Sequence, residues 1–324
     1  MEYVVRHVTR FRYSVAITES TMEVRMQPRS DGGQRCLSFD LLTNPAARIL
    51  SRYDYLGNIV HHFDIPGRHT ELTIIARSCI EMRTPPLAPA LDRDAWDELD
   101  ALVADSDAVE MLVPSTFARP TELLRVLGRK LGVQRRDDPL SLLREINSSV
   151  HQALIYTPQS TKVDSPIDDA LRMGRGVCQD YAHIMLALVR ELGIPCRYVS
   201  GYLYRPLAGP DRAMYDATHA WVEALLPRLG WIGFDPTNNT VAGDRHIRVA
   251  VGRDYADVPP TRGVFKGDAR TELGVAVQVA RGDEQLTGDE FVLVPQPPLP
   301  AHEGEQPQQQ QQARLSRQPV REAA

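Results

Sequence analysis

The segment Met173-Gly174-Arg175-Gly176-Val177-Cys178-Gln179-Asp180 constrains this chain more than any other. Two glycines permit a tight loop with close backbone approach. An apolar-periodic helix then runs from about Cys178 to Leu192, stopped by Gly193 and barred from continuing by Pro195. Cys178 thus falls in the first helical turn. There the positive end of the helix dipole favours thiolate over thiol. Unpaired backbone N–H groups of the same turn can stabilise an oxyanion formed beside the sulfur. A cysteine in such a helix is otherwise a small buried hydrophobe. The choice between the two roles turns on whether a base and a group to orient it can be placed.

A later hairpin offers both. His219 opens the strand His219-Ala220-Trp221-Val222-Glu223-Ala224, and Asp235 closes Trp231-Ile232-Gly233-Phe234-Asp235. A five-residue loop from Leu225 to Leu229 sets Ala224 opposite Gly230 and His219 directly opposite Asp235. His219, Trp221, Glu223, Trp231, Gly233 and Asp235 then share one face, while Ala220, Val222, Ala224, Ile232 and Phe234 form a core layer on the other. His219 can take the thiol proton, and Asp235 can fix the imidazole tautomer and stabilise its charged form.

The rest of the chain divides by pattern. Residues 3–84 read as short alternating strands, among them Tyr3–Val5, Phe11–Val15, Thr73–Ala76 and Cys79–Met82, separated by turn signals such as Asn44-Pro45 and Pro66-Gly67. Thr84-Pro85-Pro86-Leu87-Ala88-Pro89 breaks regular structure and marks a boundary. Asp138 is a good N-cap with Pro139 at the first helical position, and Leu140, Leu143, Ile146, Val150 and Leu154 follow on one helix face. A shorter helix starts at Ser165-Pro166 and stops by Gly174. Strands follow at Arg197–Tyr204 and, late in the chain, Leu273–Val279. From Pro295 the chain is rich in Pro and Gln and is expected to be disordered. The expected organisation is an N-terminal β domain over 1–84, a catalytic core over 85–268, a strand segment over 269–294 and a tail over 295–324.

These residues resemble the transglutaminase-like superfamily, cysteine acyl-transfer enzymes with papain-like geometry. The resemblance is carried by Gly174–His183, by Gly193-Ile194-Pro195-Cys196 through Tyr202, by Thr218-His219-Ala220-Trp221-Val222-Glu223, and by Gly230-Trp231 through Asp235-Pro236-Thr237-Asn238. It places a catalytic triad at Cys178, His219 and Asp235. Arg6–Tyr13, Met26-Gln27-Pro28-Arg29 and Asp54-Tyr55-Leu56-Gly57-Asn58 resemble the N-terminal region of the bacterial members, and 249–260 reads like their sequence after the triad. The fold this implies is α+β: an antiparallel β-sandwich-like domain, then a papain-like core with the helix-borne cysteine packed on an antiparallel sheet. Cys196, where relatives often have alanine, is expected to pack.

The implied activity is attack of Cys178 on an amide carbonyl to give an acyl-thioester. Water as acceptor makes the protein a peptidase, isopeptidase or amidase, the favoured outcome; an amine makes it a transglutaminase. Gln179, Asp180, Tyr181, Trp221 and Trp231 are the candidate cleft residues. A non-catalytic binding scaffold is the alternative of another class. Acyl transfer from a thioester, as in arylamine acetyltransferases, shares the triad logic but fits the β domain poorly.

Composition narrows partners. With 37 basic and 42 acidic residues, the net charge of −5 gives no basic nucleic-acid surface. No apolar run reaches the length of a membrane span, and Met1–His7 holds no signal-type apolar core. Four cysteines in 324 residues do not make a disulfide framework, so a cytoplasmic protein with reduced thiols is expected. Cys36 and Cys79 are expected to be packing thiols. No C-x-x-C pair, H-E-x-x-H helix or calcium loop is present, so neither metal nor cofactor is expected. His183 lies about 500° around the helix from Cys178 and is expected to pack in the core. The expected partner is an amide-bearing protein or peptide.

Overall fold

A computed structural model describes residues 1–83, 90–205 and 218–282. In chain order it begins with strands β1 (Glu2–Val24), β2 (Gln34–Asn44), β3 (Leu50–Tyr53) and β4 (Ile59–Met82). Helices α1 (Ala95–Ala104), α2 (Glu122–Leu131) and α3 (Pro139–Ala153) follow, then β5 (Ile155–Tyr156), α4 (Ile167–Met173), β6 (Arg175–Gly176) and α5 (Cys178–Glu191). The last elements are β7 (Cys196–Leu203), β8 (His219–Leu226), β9 (Gly230–Asp235), β10 (Thr240–Val241), β11 (His246–Gly252), β12 (Thr261–Lys266) and β13 (Thr271–Arg281).

The chain forms two compact units. Among the described residues, one comprises 4–27, 37–79 and 259–282; the other comprises 1–3, 28–36, 80–83, 90–205 and 218–258. The expected boundaries are corrected accordingly. β12 and β13 both pair with β1, so 261–281 belongs to the β unit rather than to a core ending at 268 or a separate strand segment. The boundary expected at 84–89, the end of the 269–294 segment and the tail over 295–324 lie outside the described residues.

In the β unit six strands share one hydrogen-bonded sheet, ordered β12-β1-β4-β2, with β13 on β1 and β3 on β4. The short strands expected from alternation are pieces of two long ones, of 23 and 24 residues. Pro66-Gly67 does not end β4, because Gly67 takes φ +93° within the strand, a conformation open to glycine. Phe11, Ile17, Val24, Phe63, Leu72 and Ile74 are buried together as this unit's core.

The other unit is built on a five-stranded sheet ordered β10-β9-β8-β7-β11. Helix α5 packs on β7 and β8, with α2, α3 and α4 against its other sides. That sandwiching explains why every residue of α5 from Cys178 to Arg190 is buried. As expected, Asp138 caps α3, accepting from Leu140 N at 2.9 Å and Ser141 N at 3.0 Å. At the far end of α5, the buried Arg190 guanidinium donates to the carbonyls of Met111 (2.9 Å), Ala118 (3.3 Å), Cys196 (3.1 Å) and Arg253 (2.6 Å), and to Ser115 Oγ (3.1 Å). One cation thus ties the helix to its surroundings.

The β8–β9 hairpin keeps the expected faces but not the expected register. Leu226 pairs with Gly230 and Val222 with Phe234, a shift of two residues from the pairing of Ala224 with Gly230. The turn is the shorter Pro227-Arg228-Leu229, made possible by positive φ at Arg228 (+62°) and Gly230 (+72°). A shift of two preserves side-chain parity. Ala220, Val222, Ala224 and Phe234 therefore enter the core beneath α5, joined by the half-buried Ile232.

Candidate active site

Antiparallel order brings the start of β8, the end of β9, the end of β7 and the start of β11 to one end of the sheet. His219 opens β8 there and is buried; Asp235 closes β9 and is fully buried. Asp235-Pro236-Thr237-Asn238 makes an Asx turn: Asp235 Oδ1 accepts from Thr237 N at 3.0 Å and Asn238 N at 3.1 Å. His151 of α3 donates Nδ1–H to the carbonyls of Thr237 (3.0 Å) and Pro236 (3.2 Å), pinning this turn from below.

Asp235 Oδ2 accepts His219 Nε2–H at 2.8 Å and Asn238 Nδ2–H at 2.8 Å. It also accepts His246 Nε2–H at 3.1 Å. Burial by itself raises the Asp235 carboxyl, but the charge of His219 and the hydrogen bonds from His219 and His246 outweigh it and hold the group well below 3.8. Since His219 Nε2 carries the hydrogen, Nδ1 is the unprotonated nitrogen of the neutral ring. Nδ1 is buried and without a hydrogen-bond partner among the described residues.

Cys178 stands at the first position of α5 and keeps 8% exposure, whereas Tyr181, Ala182 and Ile184 behind it have none. Its sulfur is close enough to Tyr198 of β7 to add to the effect of burial, which pushes that phenol well above its ordinary value. The neighbouring candidates hold the helix start in place. Asp180 Oδ2 accepts Val177 N–H at 2.8 Å and the Thr161 hydroxyl at 2.5 Å, and burial raises its carboxyl despite those bonds. Gln179 Nε2 donates to Val163 O at 2.9 Å, and Tyr181 OH donates to Leu154 O at 2.8 Å.

The two tryptophans part company. Trp221 is fully buried, nearly parallel to His219 (centroids 6.1 Å, 28°) and edge-on to His246 (5.3 Å, 74°). Its indole lies close against β7 at a glycine, since a Cβ on Gly201 would sit 2.6 Å from the ring. Trp231 sits near the other end of β9, under the Arg197 guanidinium at 4.2 Å. Arg197 also pairs with buried Glu223 at 2.6 Å, and Arg248 reaches the same carboxylate at 3.3 Å, so the face carrying His219 is buried too. His183 packs in the core as expected: it stacks on Phe117 (5.4 Å, 14°) and its Nε2 accepts Tyr255 N–H at 3.2 Å. Cys196 is likewise buried, and burial pushes its thiol up to about 11.

His246 is the site residue that sequence reasoning missed. It belongs to no spacing motif with His219 or Asp235, and it reaches the site only because β11 starts at the same sheet end. The one available signal was a histidine just after the Ala242-Gly243-Asp244-Arg245 turn, at the opening of an apolar strand.

Comparison with known proteins agrees with this architecture. The transglutaminase-like superfamily matches residues 129–236, and the bacterial transglutaminase-like N-terminal region matches residues 3–81. An uncharacterised protein of Mycobacterium leprae is 35% identical over 278 residues, covering 86% of this chain and 98% of that protein. An uncharacterised protein of Mycobacterium tuberculosis is 35% identical over 293 residues, 86% of this chain and 92% of its own length. A protein-glutamine gamma-glutamyltransferase of Pseudomonas aeruginosa is 36% identical over 103 residues, only 15% of its length. Among solved structures, a candidate cysteine protease from Cytophaga hutchinsonii shares the fold, with TM-score 0.70 at 22% identity over 89% of this chain and 92% of that one. With both regions matched in order and mycobacterial relatives aligned over nearly their whole length, the chain belongs to the transglutaminase-like superfamily, in its form with the bacterial N-terminal region.

Proposed function

We propose that this protein is a cysteine-nucleophile enzyme acting on amide bonds, with Cys178 as nucleophile, His219 as general acid and base, and Asp235 as the group that orients His219. The observation that carries this reading is the buried His219–Asp235 pair at 2.8 Å, whose outer nitrogen Nδ1 makes no hydrogen bond among the described residues. Helix α5, which bears Cys178 at its start, packs on the strand that His219 opens. A base with a fixed tautomer and a helix-start thiol are the two halves of an activated sulfur nucleophile.

The reaction follows from those roles. His219 Nδ1 takes the thiol proton, and the thiolate adds to the amide carbonyl. Backbone N–H groups of the first turn of α5 stabilise the oxyanion. The C–N bond breaks as His219 Nδ1–H protonates the leaving amine, which leaves an acyl-thioester on Cys178. His219 then removes a proton from the acceptor, which displaces the sulfur. We take water as that acceptor, because it is always present and needs no binding channel of its own. The substrate is then a protein or peptide amide and the activity that of a peptidase, isopeptidase or amidase. The similarity to the Pseudomonas gamma-glutamyltransferase favours a second reading, in which an amine accepts the acyl group. A cytoplasmic setting with reduced thiols belongs to the same proposal; none of the four cysteines is in a disulfide.

Incubation with a library of glutamine-containing peptides, with and without an added primary amine, separates the readings by mass. Free acid or cleaved peptide in both samples supports hydrolysis. Amine adducts formed in preference to acid would establish transfer, and no product from wild type at any peptide would count against catalysis.

A further inference from the structure

His246 opens β11, is 5% exposed and has both ring nitrogens engaged. Nδ1 accepts the Gly243 N–H at 3.3 Å, so the ring hydrogen of the neutral side chain is on Nε2, which donates to Asp235 Oδ2 at 3.1 Å. Two imidazoles, one from β8 and one from β11, therefore converge on a single carboxylate oxygen, and Trp221 contacts both rings. His219, Asp235 and His246 have their donor atoms within 4.8 Å of one another, a set that also suits a divalent cation. The hydrogen bonds argue for the donor role instead. A metal on His246 Nε2 would force the ring hydrogen onto Nδ1 and set it against the Gly243 N–H.

We propose that His246 is a positioning residue: a neutral N–H donor that fixes the Asp235 carboxylate so that Oδ2 holds His219 Nε2–H and leaves His219 Nδ1 as the base. The inference rests on the triad reading given above. The chemistry is that of a shared acceptor. Oδ2 takes three donors, from His219, Asn238 and His246. Each added donor disperses charge on that oxygen, so the hydrogen stays on His219 and the carboxylate plane cannot swing away from it. The charged and titratable groups around His246 are Asp235 of β9, His219 of β8 and the adjacent Arg245; burial first, then His219 and Arg245, favour its neutral form against the pull of Asp235.

Two substitutions separate the role from packing. H246F keeps a ring against Trp221 but loses both polar contacts; H246L serves if H246F does not fold. H246Q offers an oxygen to Gly243 N–H and an amide N–H to Asp235. Losing one hydrogen bond to a buried charge corresponds to a kcat about ten- to a hundredfold lower in H246F, with KM changed less than about twofold. The basic limb of the pH profile moves downward, because a carboxylate no longer held in place stabilises the His219 imidazolium less, and H246Q recovers most of the loss. The second readout is ¹⁵N NMR of the imidazole rings. In wild type, His246 remains the Nε2–H tautomer below the range in which an ordinary histidine takes up its second proton, and His219 becomes a tautomer mixture in H246F. A kcat and basic limb in H246F equal to wild type would overturn the proposal, as would a His246 that titrates like a free imidazole. If wild type cleaves no peptide, the reaction assignment fails by itself. The NMR arm still decides His246: mixed His219 tautomers in H246F support its role, and an unchanged His219 spectrum refutes it.

Discussion

His219 Nε2 meets Asp235 Oδ2 at 2.8 Å although the two residues are not ladder partners. The β8–β9 ladder ends at Val222 opposite Phe234, so its continuation would set Asp235 against Trp221, and His219 reaches the carboxylate diagonally. The bond therefore depends on the Asx turn that aims Asp235, not on strand register alone. Asp235→Asn places an amide N–H where His219, His246 and Asn238 all donate, and it drives His219 toward the wrong tautomer. The expected loss in kcat is about 10³- to 10⁴-fold. Steady-state kinetics on a cleaved peptide, with circular dichroism to confirm folding, checks it.

The same carboxylate makes stability pH-dependent in a defined direction. Its folded value lies well below the ordinary 3.8 despite burial, through His219 and the bonds from His219 and His246. Such a group adds stability above the ordinary value and loses it as pH falls from there through the folded value. Wild type should therefore lose more unfolding free energy than Asp235→Asn between pH 5 and pH 3, as measured by urea titration at each pH.

His183 gives a second acid-sensitive contribution at higher pH. Burial, aided by Arg190, lowers it from 6.5 to about 3. It is neutral in the folded chain, so its contribution is complete above 6.5 and shrinks as pH falls toward 3, by up to about 1.4 kcal/mol per unit. His183→Leu should remove that slope. It should also cost about 1–3 kcal/mol at pH 7, because Tyr255 N–H loses its acceptor. Urea midpoints at pH 7.5 and pH 5 for both proteins test the pair of effects, and an equal drop in both would contradict the assignment.

Arg190 anchors α5 through carbonyls of four other residues and one hydroxyl. Arg190→Met leaves those groups buried and unpaired, at an expected cost of about 3–5 kcal/mol. That is a large share of the stability of a typical domain. A urea midpoint within experimental error of wild type would show that the carbonyls find other partners.

Much of this arrangement was legible in the sequence. Glycine stops, the Asp138-Pro139 cap and apolar spacing placed α3 and α5 because they are local rules. Hairpin parity was legible because it follows from alternation, which a shift of two does not change. The register was not, since it depends on Arg228 accepting a positive φ that a non-glycine residue rarely takes. Alternation puts Glu223 on the site face, but its ion pairs with Arg197 and Arg248 join three strands and leave no local trace. His246 was invisible for a related reason: β11 lies three places from β9 in the sheet, and only the shared strand end brings the two residues together. Pattern alone breaks the β unit into short strands because Pro66-Gly67 marks a turn in most contexts, whereas here the strand continues through it.

The central claim is that His219 makes the sulfur of Cys178 anionic near neutral pH. The rate of alkylation at Cys178 by iodoacetamide, followed by peptide mass spectrometry from pH 5 to pH 9 in wild type and His219→Asn, tests it most directly. The account predicts a high rate in wild type that persists well below the ordinary thiol range near 8.5, and a profile in His219→Asn that falls back to an ordinary thiol. Superimposable profiles, with Cys178 no more reactive than Cys36 or Cys79, would contradict it.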